Sequence, residues 1–146
     1  MVPDSPVLIC YDGSAESRQA IGDAAALLSG RRAVVVNIAP LDAVAEAYAA
    51  AGSGAAELGA DVHADAVVRA EEGAELARRA GFHAEARGIL ATPVWRGVVE
   101  AADEVDAAVI VVGSRAHSRF HSLGEAHVSR DVVEHANRPV LVIPAR

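Results

Sequence analysis

Val109-Ile110-Val111-Val112-Gly113-Ser114-Arg115-Ala116 is the stretch whose reading decides the fold of this chain. Four consecutive β-branched residues read as a strand buried on both faces, because a half-exposed strand alternates apolar with polar side chains. Gly113 and the small residues after it turn the chain out of the sheet. A polar segment rich in histidine and arginine follows, and a helix start is expected near Ala126-His127-Val128-Ser129. The chain then closes on Arg138-Pro139-Val140-Leu141-Val142-Ile143-Pro144, a second wholly apolar strand between two prolines. Strand, small-residue turn, loop and helix start form the layout of an anion cradle. The first N–H groups of a helix lack intrahelical partners and stand at the positive end of its dipole.

Strands and helices alternate through the rest of the chain. Val7 to Tyr11 is an apolar run and reads as strand one. Ser14 is placed to cap a helix whose apolar residues Ile21, Ala24, Ala25 and Leu28 keep helical spacing, with Gly30 as its stop. Ala33 to Ala39 is strand two. The stretch from Pro40 to Gly59 is irregular, and its alanine, glycine and serine run at 49–56 has little to pack. A mobile loop, or a short helix with a hinge, is expected there. A long helix fits Ala60 to Ala80 with Val67, Ala70, Ala74 and Ala77 on one face. His83 to Arg87 is a weaker third strand. Thr92 and Pro93 suit the N-cap and first position of a helix that turns Val94, Val98, Ala101 and Val105 inward. Ala107 to Val112 is strand four, Ala126 to Ala136 a helix, and Val140 to Ile143 strand five. Five apolar strands separated by helices predict an α/β fold, a three-layer, doubly wound parallel sheet with right-handed crossovers.

Composition narrows the function. At 146 residues the chain reads as one domain, long enough to bury about 70% of its unfolded surface. A net charge of −7 offers no basic field for a nucleic-acid backbone. No apolar run reaches the roughly 18 residues of a membrane span. A basic region followed by an apolar stretch is missing at the start, so no signal peptide is expected. The lone Cys10 fits a reducing cytoplasm. All 13 basic residues are arginine. With no lysine, neither a P-loop nor Schiff-base chemistry is available.

In open α/β sheets a ligand binds beyond the carboxyl ends of the strands, where the strand order reverses. Two strand ends carry suitable turns, Asp12-Gly13-Ser14 after strand one and Gly113-Ser114-Arg115 after strand four. If those strands are neighbours, the two turns face one crevice.

These residues carry a resemblance. With Asp12-Gly13-Ser14, Val109 through Arg115, and the ending Asn137 to Pro144, the chain resembles a universal stress protein over essentially its whole length. The resemblance implies strand order 3-2-1-4-5, the arrangement of adenine nucleotide alpha hydrolase-like proteins. Nucleotide-binding members carry the pattern G-x2-G-x9-G-[S/T]. Here its positions hold Gly113, Ala116, Ala126 and His127. Glycine in such a loop supplies positive φ or lets a phosphate approach the backbone. Alanine in a left-handed conformation costs on the order of 1 kcal/mol, and the Ala126 methyl group would intrude on phosphate space. His127 replaces a hydroxyl donor with an imidazole, which also donates. By the resemblance, adenine and ribose lie against Asp12, Ile38, Val112 and Gly113. The phosphates lie against Ala116, Ala126, His127, Val128 and Ser129. The ligand would be ATP, ADP or AMP, with Mg2+ accompanying ATP. Arg115 and Arg119 either supply compensating charge or are solvated loop residues.

Other constellations read more plainly. His117, His121 and His127 form a polar loop rather than a metal site. Cys10 reads as a small buried hydrophobe. Asp12 is no phospho-acceptor of the response-regulator kind, which also needs an acidic cluster, an aspartate after strand three and a lysine. Trp95 reads as packing. No G-x-S-x-G elbow occurs, and no catalytic residue is assigned. Two functions remain. One is a non-catalytic stress-response regulator with a degenerate adenine-nucleotide crevice, homodimeric through the apolar edge strand Val140 to Ile143 and acting on an unidentified regulatory protein. The other is an ATP-binding switch with weak hydrolysis.

Overall fold

Short β-branched runs make strands here because each can bury both faces. The computed structural model describes residues 4–51, 55–114 and 127–146. Within them the strands are β1 (Val7–Cys10), β2 (Arg32–Ala39), β3 (His83–Leu90), β4 (Val109–Gly113) and β5 (Val140–Ile143). The helices are α1 (Ala15–Leu28), α2 (Leu41–Ala51), α3 (Ala55–Arg79), α4 (Val94–Glu104) and α5 (Val128–His135). All strand pairs are parallel and the order is β3-β2-β1-β4-β5, as the resemblance implies.

Side chains alternate across the sheet, so each strand feeds two cores. Val7, Ile9, Val35 and Val111 pack with Ile21 and Ala24 of α1 and with Ala74 and Ala77 of α3. Leu8, Val34, Val36 and Ile110 pack on the opposite face with Val98 and Ala101 of α4 and with Val132 of α5. Helices therefore cover both faces, and the expected three-layer architecture is the one observed.

Several local expectations are corrected. Of the loop and the short helix expected after Pro40, residues 41–51 form the helix; alanine is the best helix former even where it has little to pack, and α2 lies against α3. Residues 52–54 of the alanine-glycine run lie outside the described residues. Thr92 does not cap α4. Its hydroxyl accepts instead from the Leu41 N–H, 2.7 Å away, at the start of α2. Pro93 takes the N-cap position of α4 without a side-chain bond. On α3 the inward row is Ala66, Ala70, Ala74 and Ala77, whereas Val67 is 41% exposed. The cause is Gly88 on β3, where a Cβ would stand 2.4 Å from the Val67 backbone nitrogen. The helix lies directly on the strand there, and only a residue as small as alanine fits beneath it. β3 runs to Leu90, beyond the expected end at Arg87, and pairs with β2 from His83 to Leu90. The helix expected from Ala126 starts at Val128, and Ala126 itself lies outside the described residues.

The two sheet edges differ. The His83 and Ala91 N–H groups point at β2, so the even-numbered carbonyls of β3 point outward. Two of these are occupied, Ala84 O by Arg78 Nε at 3.0 Å and Gly88 O by His63 Nε2 at 3.1 Å. Glu85 and Arg87 add charge along this edge. On β5 the Pro139 and Ile143 carbonyls bond toward β4, which turns the backbone groups of Val140 and Val142 outward. A charged, occupied edge resists strand addition, and an apolar one invites it.

The close approach at Gly88 makes a stability prediction. Gly88→Ala is expected to destabilise the protein by about 2 kcal/mol through overpacking against backbone. Gly22→Ala, on the exposed face of α1 with nothing within 4 Å, is expected to stabilise it by roughly 0.5 kcal/mol. Urea denaturation of the two variants checks both signs.

Candidate functional site

β1 lies between β2 and β4. After β1 the chain enters α1, which covers one face; α5, which follows β4 in the order of elements, covers the other. The strand order reverses at this point, and a crevice opens between the two strand ends. Asp12 and Gly113 both line it.

Local hydrogen bonds shape the first turn. Asp12 Oδ1 accepts from the Ser14 N–H at 2.9 Å. Ser14 Oγ caps α1 by accepting from the Ser17 N–H at 3.1 Å, and Ser17 Oγ donates back to the Ser14 carbonyl at 3.0 Å. Gly13 has φ +83, and a Cβ there would stand 2.6 Å from Arg69 Nη1. Arg69 uses that space to donate to the Asp12 carbonyl at 3.1 Å. Glycine is thus required twice over, for its backbone angle and for the guanidinium behind it. Beneath the turn, buried Asn37 donates to the Tyr11 carbonyl at 2.9 Å.

Gly113 plays a different part. A Cβ at Gly113 would lie 3.3 Å from the Glu16 carbonyl. Its lack of a side chain lets the first turn of α1 approach the end of β4, which holds the two turns together.

The crevice is polar on one side and apolar on the other. Asp12, Ser14, Glu16, Ser17 and Asn37 supply the polar side. Ile38, Val94, Val98, Val112 and Val128 supply the apolar wall, with Ser129 beside the start of α5. Of the residues singled out from the sequence, Asp12, Ile38, Val112, Gly113, Val128 and Ser129 therefore meet in one place. His127 sits at the N-cap of α5, where its side chain makes no capping bond. Ala116 and Ala126 lie outside the described residues, as do Arg115, Arg119, His117 and His121. Glu16, Ser17, Asn37 and Val94 are among the lining residues that the sequence reading did not place in the site. Two of these left a signal, since Glu16 and Ser17 follow directly on the Ser14 cap. Asn37 also left one, as the single polar residue inside the apolar run from Val34 to Ile38.

Cys10 points toward the crevice from the end of β1 and packs with the α4 side of the core. Burial pushes its thiol up to about 12. Trp95 stacks on His135 at 3.9 Å between ring centroids and is partly buried against the same core, which is a packing role. Among the described residues, no three His, Cys, Asp or Glu side chains converge as metal ligands, and no helix is long and apolar enough to cross a membrane.

Comparison with known proteins identifies this architecture. The model of the universal stress protein family matches residues 5–144. The chain belongs to the universal stress protein family. A universal stress protein from Archaeoglobus fulgidus, solved in complex with dAMP, is 26% identical with TM-score 0.63, covering 94% of this chain and 96% of that one. A family member from Burkholderia pseudomallei superposes with TM-score 0.72 at 22% identity, covering 99% of both chains. A universal stress protein solved in complex with cAMP gives TM-score 0.65 at 22% identity, covering 96% of both. No curated protein sequence matches the chain. The shared fold is the adenine nucleotide alpha hydrolase-like one.

The Cys10 environment predicts chemical inertness. A thiol shifted from 9.0 to about 12 has a thiolate fraction roughly a thousandfold lower at pH 8. Iodoacetamide at pH 8 should leave the native protein unlabelled and label it in urea, as read by mass spectrometry. Rapid native labelling would contradict the raised pKa of this half-buried thiol.

Proposed function

We propose that this universal stress protein is a non-catalytic regulatory module whose crevice holds an adenine nucleotide. The observation that carries this reading is the meeting of the Asp12 and Gly113 turns at the switch point of the sheet. The solved relative with dAMP supports the same ligand class. Adenine and ribose would lie against Asp12, Ile38, Val112 and Gly113. The phosphate would lie toward Val128 and Ser129, with Ala116, Ala126 and His127 standing where nucleotide-binding relatives have two glycines and a hydroxyl. An ATP-binding switch with weak hydrolysis is the second reading. It draws on the start of α5, whose first N–H groups receive no side-chain cap from His127. The site of action would be the cytoplasm.

The oligomer proposed is a homodimer through β5. Its outward backbone groups at Val140 and Val142 are open to pairing, Val142 is 37% exposed, and the opposite edge is occupied by Arg78 and His63.

Calorimetric titration with AMP tests the crevice. Ile38→Trp, which fills the apolar wall, should weaken AMP binding by roughly tenfold or more, about 1.4 kcal/mol. ATP incubated with Mg2+ should yield no ADP above the protein-free blank, and release of ADP would favour the switch. Sedimentation tests the oligomer. The wild type is expected as a dimer at micromolar concentration and Val142→Lys as a monomer. A monomeric wild type would remove the β5 interface.

A further inference from the structure

Resting on the nucleotide-crevice reading above, we infer that Asn37 is a specificity-determining residue of the crevice. Its amide oxygen accepts a hydrogen bond from a donor on the nucleoside, the exocyclic amine of adenine or a ribose hydroxyl.

Asn37 is the one polar side chain in the apolar run from Val34 to Ile38, and it is 8% exposed. A buried amide costs free energy unless its polar atoms are bonded. Nδ2 donates to the Tyr11 carbonyl at 2.9 Å. A carbonyl can only accept, so this bond fixes which end of the amide is nitrogen and leaves Oδ1 at the other end. Among the described residues no group donates to Oδ1. The atom is not sealed in the core either. Among the described residues, the sealed side-chain atom without a partner is Arg138 Nε. Asn37 lines the crevice with Tyr11 and Ile38, and that is the space to which Oδ1 opens.

The hydroxyls on the same side of the crevice are committed elsewhere. Ser17 Oγ donates to the Ser14 carbonyl at 3.0 Å, and Ser14 Oγ donates to Ser17 Oγ at 3.2 Å. A hydroxyl has a single hydrogen, and both are spent at the start of α1. The donor that Oδ1 needs therefore comes with the ligand. The acceptor is also held firmly. β2 is paired to β1 on one edge and to β3 on the other, and the Tyr11 carbonyl fixes the amide. An acceptor placed in this way discriminates sharply, because an analogue lacking the donor leaves the oxygen unpaired. Exchange of the base amine for a carbonyl sets two acceptors face to face.

The test is equilibrium titration of the full chain with AMP, IMP, 2′-deoxy-AMP and 3′-deoxy-AMP. It is run on the wild type, Asn37→Leu and Asn37→Ser, each checked for cooperative unfolding in urea. Asn37→Ser makes the smaller change to the buried site and serves where Asn37→Leu does not fold. AMP is expected to bind the wild type, with one analogue weaker by about tenfold or more. Weak IMP identifies the amine as the donor, and a weak deoxynucleotide identifies the missing hydroxyl. The variants should lose a similar factor for AMP and bring AMP and that analogue within about threefold of each other. Equal binding of all four nucleotides to the wild type overturns the role of Asn37 and leaves the crevice reading intact. Discrimination that persists undiminished in the variants does the same. Failure of AMP to bind the wild type overturns the crevice reading, and the role of Asn37 falls with it.

Discussion

Everything in this structure depends on β1 being buried on both faces and paired on both edges. Val7, Leu8 and Ile9 are each 0% exposed. Val7 and Ile9 fill one core and Leu8 fills the other. Parallel ladders to β2 and β4 occupy both edges. A strand enclosed in this way can only be central, and parallel neighbours require helical crossovers. The crossovers leave to opposite faces on either side of β1. The gap between them is a consequence of topology before any ligand is considered.

The chemistry of that gap follows from what closes around it. An absent side chain permits close approach at several places, Gly13, Gly88 and Gly113 among them. Gly13 admits the Arg69 guanidinium, Gly88 seats α3 on β3, and Gly113 seats α1 on β4. The first turn of α1 is drawn against the end of β4 in this way, and it brings Glu16 to the crevice beside Asp12. The apolar wall comes from the other layer, from Val94 and Val98 of α4 and Val128 of α5. One side is built of carboxylates and hydroxyls and the other of branched aliphatics.

Much of the fold was legible in the residues. The runs Val7 to Cys10, Val34 to Val36, Val109 to Val112 and Val140 to Ile143 are apolar without alternation, which only two-sided burial explains. Ser14 capped its helix as its type predicts, and Gly30 followed the end of α1 with positive φ. Of the two forms left open for the alanine-rich stretch, α2 takes the helical one, on propensity and on its contact with α3. The misreadings have identifiable causes. Thr92 resembles a cap for the helix that follows, yet its hydroxyl serves α2, 51 residues away in sequence. A one-dimensional pattern assigns a cap to the nearest helix; a folded chain assigns it to the nearest orphan N–H. Val67 shares a helical row with Ala70 and Ala74 by spacing alone, and the neighbouring row through Ala66 does so equally well. The close seat on Gly88 decides between them.

The sequence by itself determined that the chain is an α/β protein with an apolar parallel sheet, and that small-residue turns end its first and fourth strands. Those properties are local: they depend on residue type, periodicity and turn chemistry. Only the tertiary structure decided which side chains share the crevice, that Gly113 serves the approach of α1, and that Glu16 and Asn37 stand beside Asp12. Those are distances between segments remote in the chain. They are set by how tightly helix backbones can approach strands, which no single segment encodes.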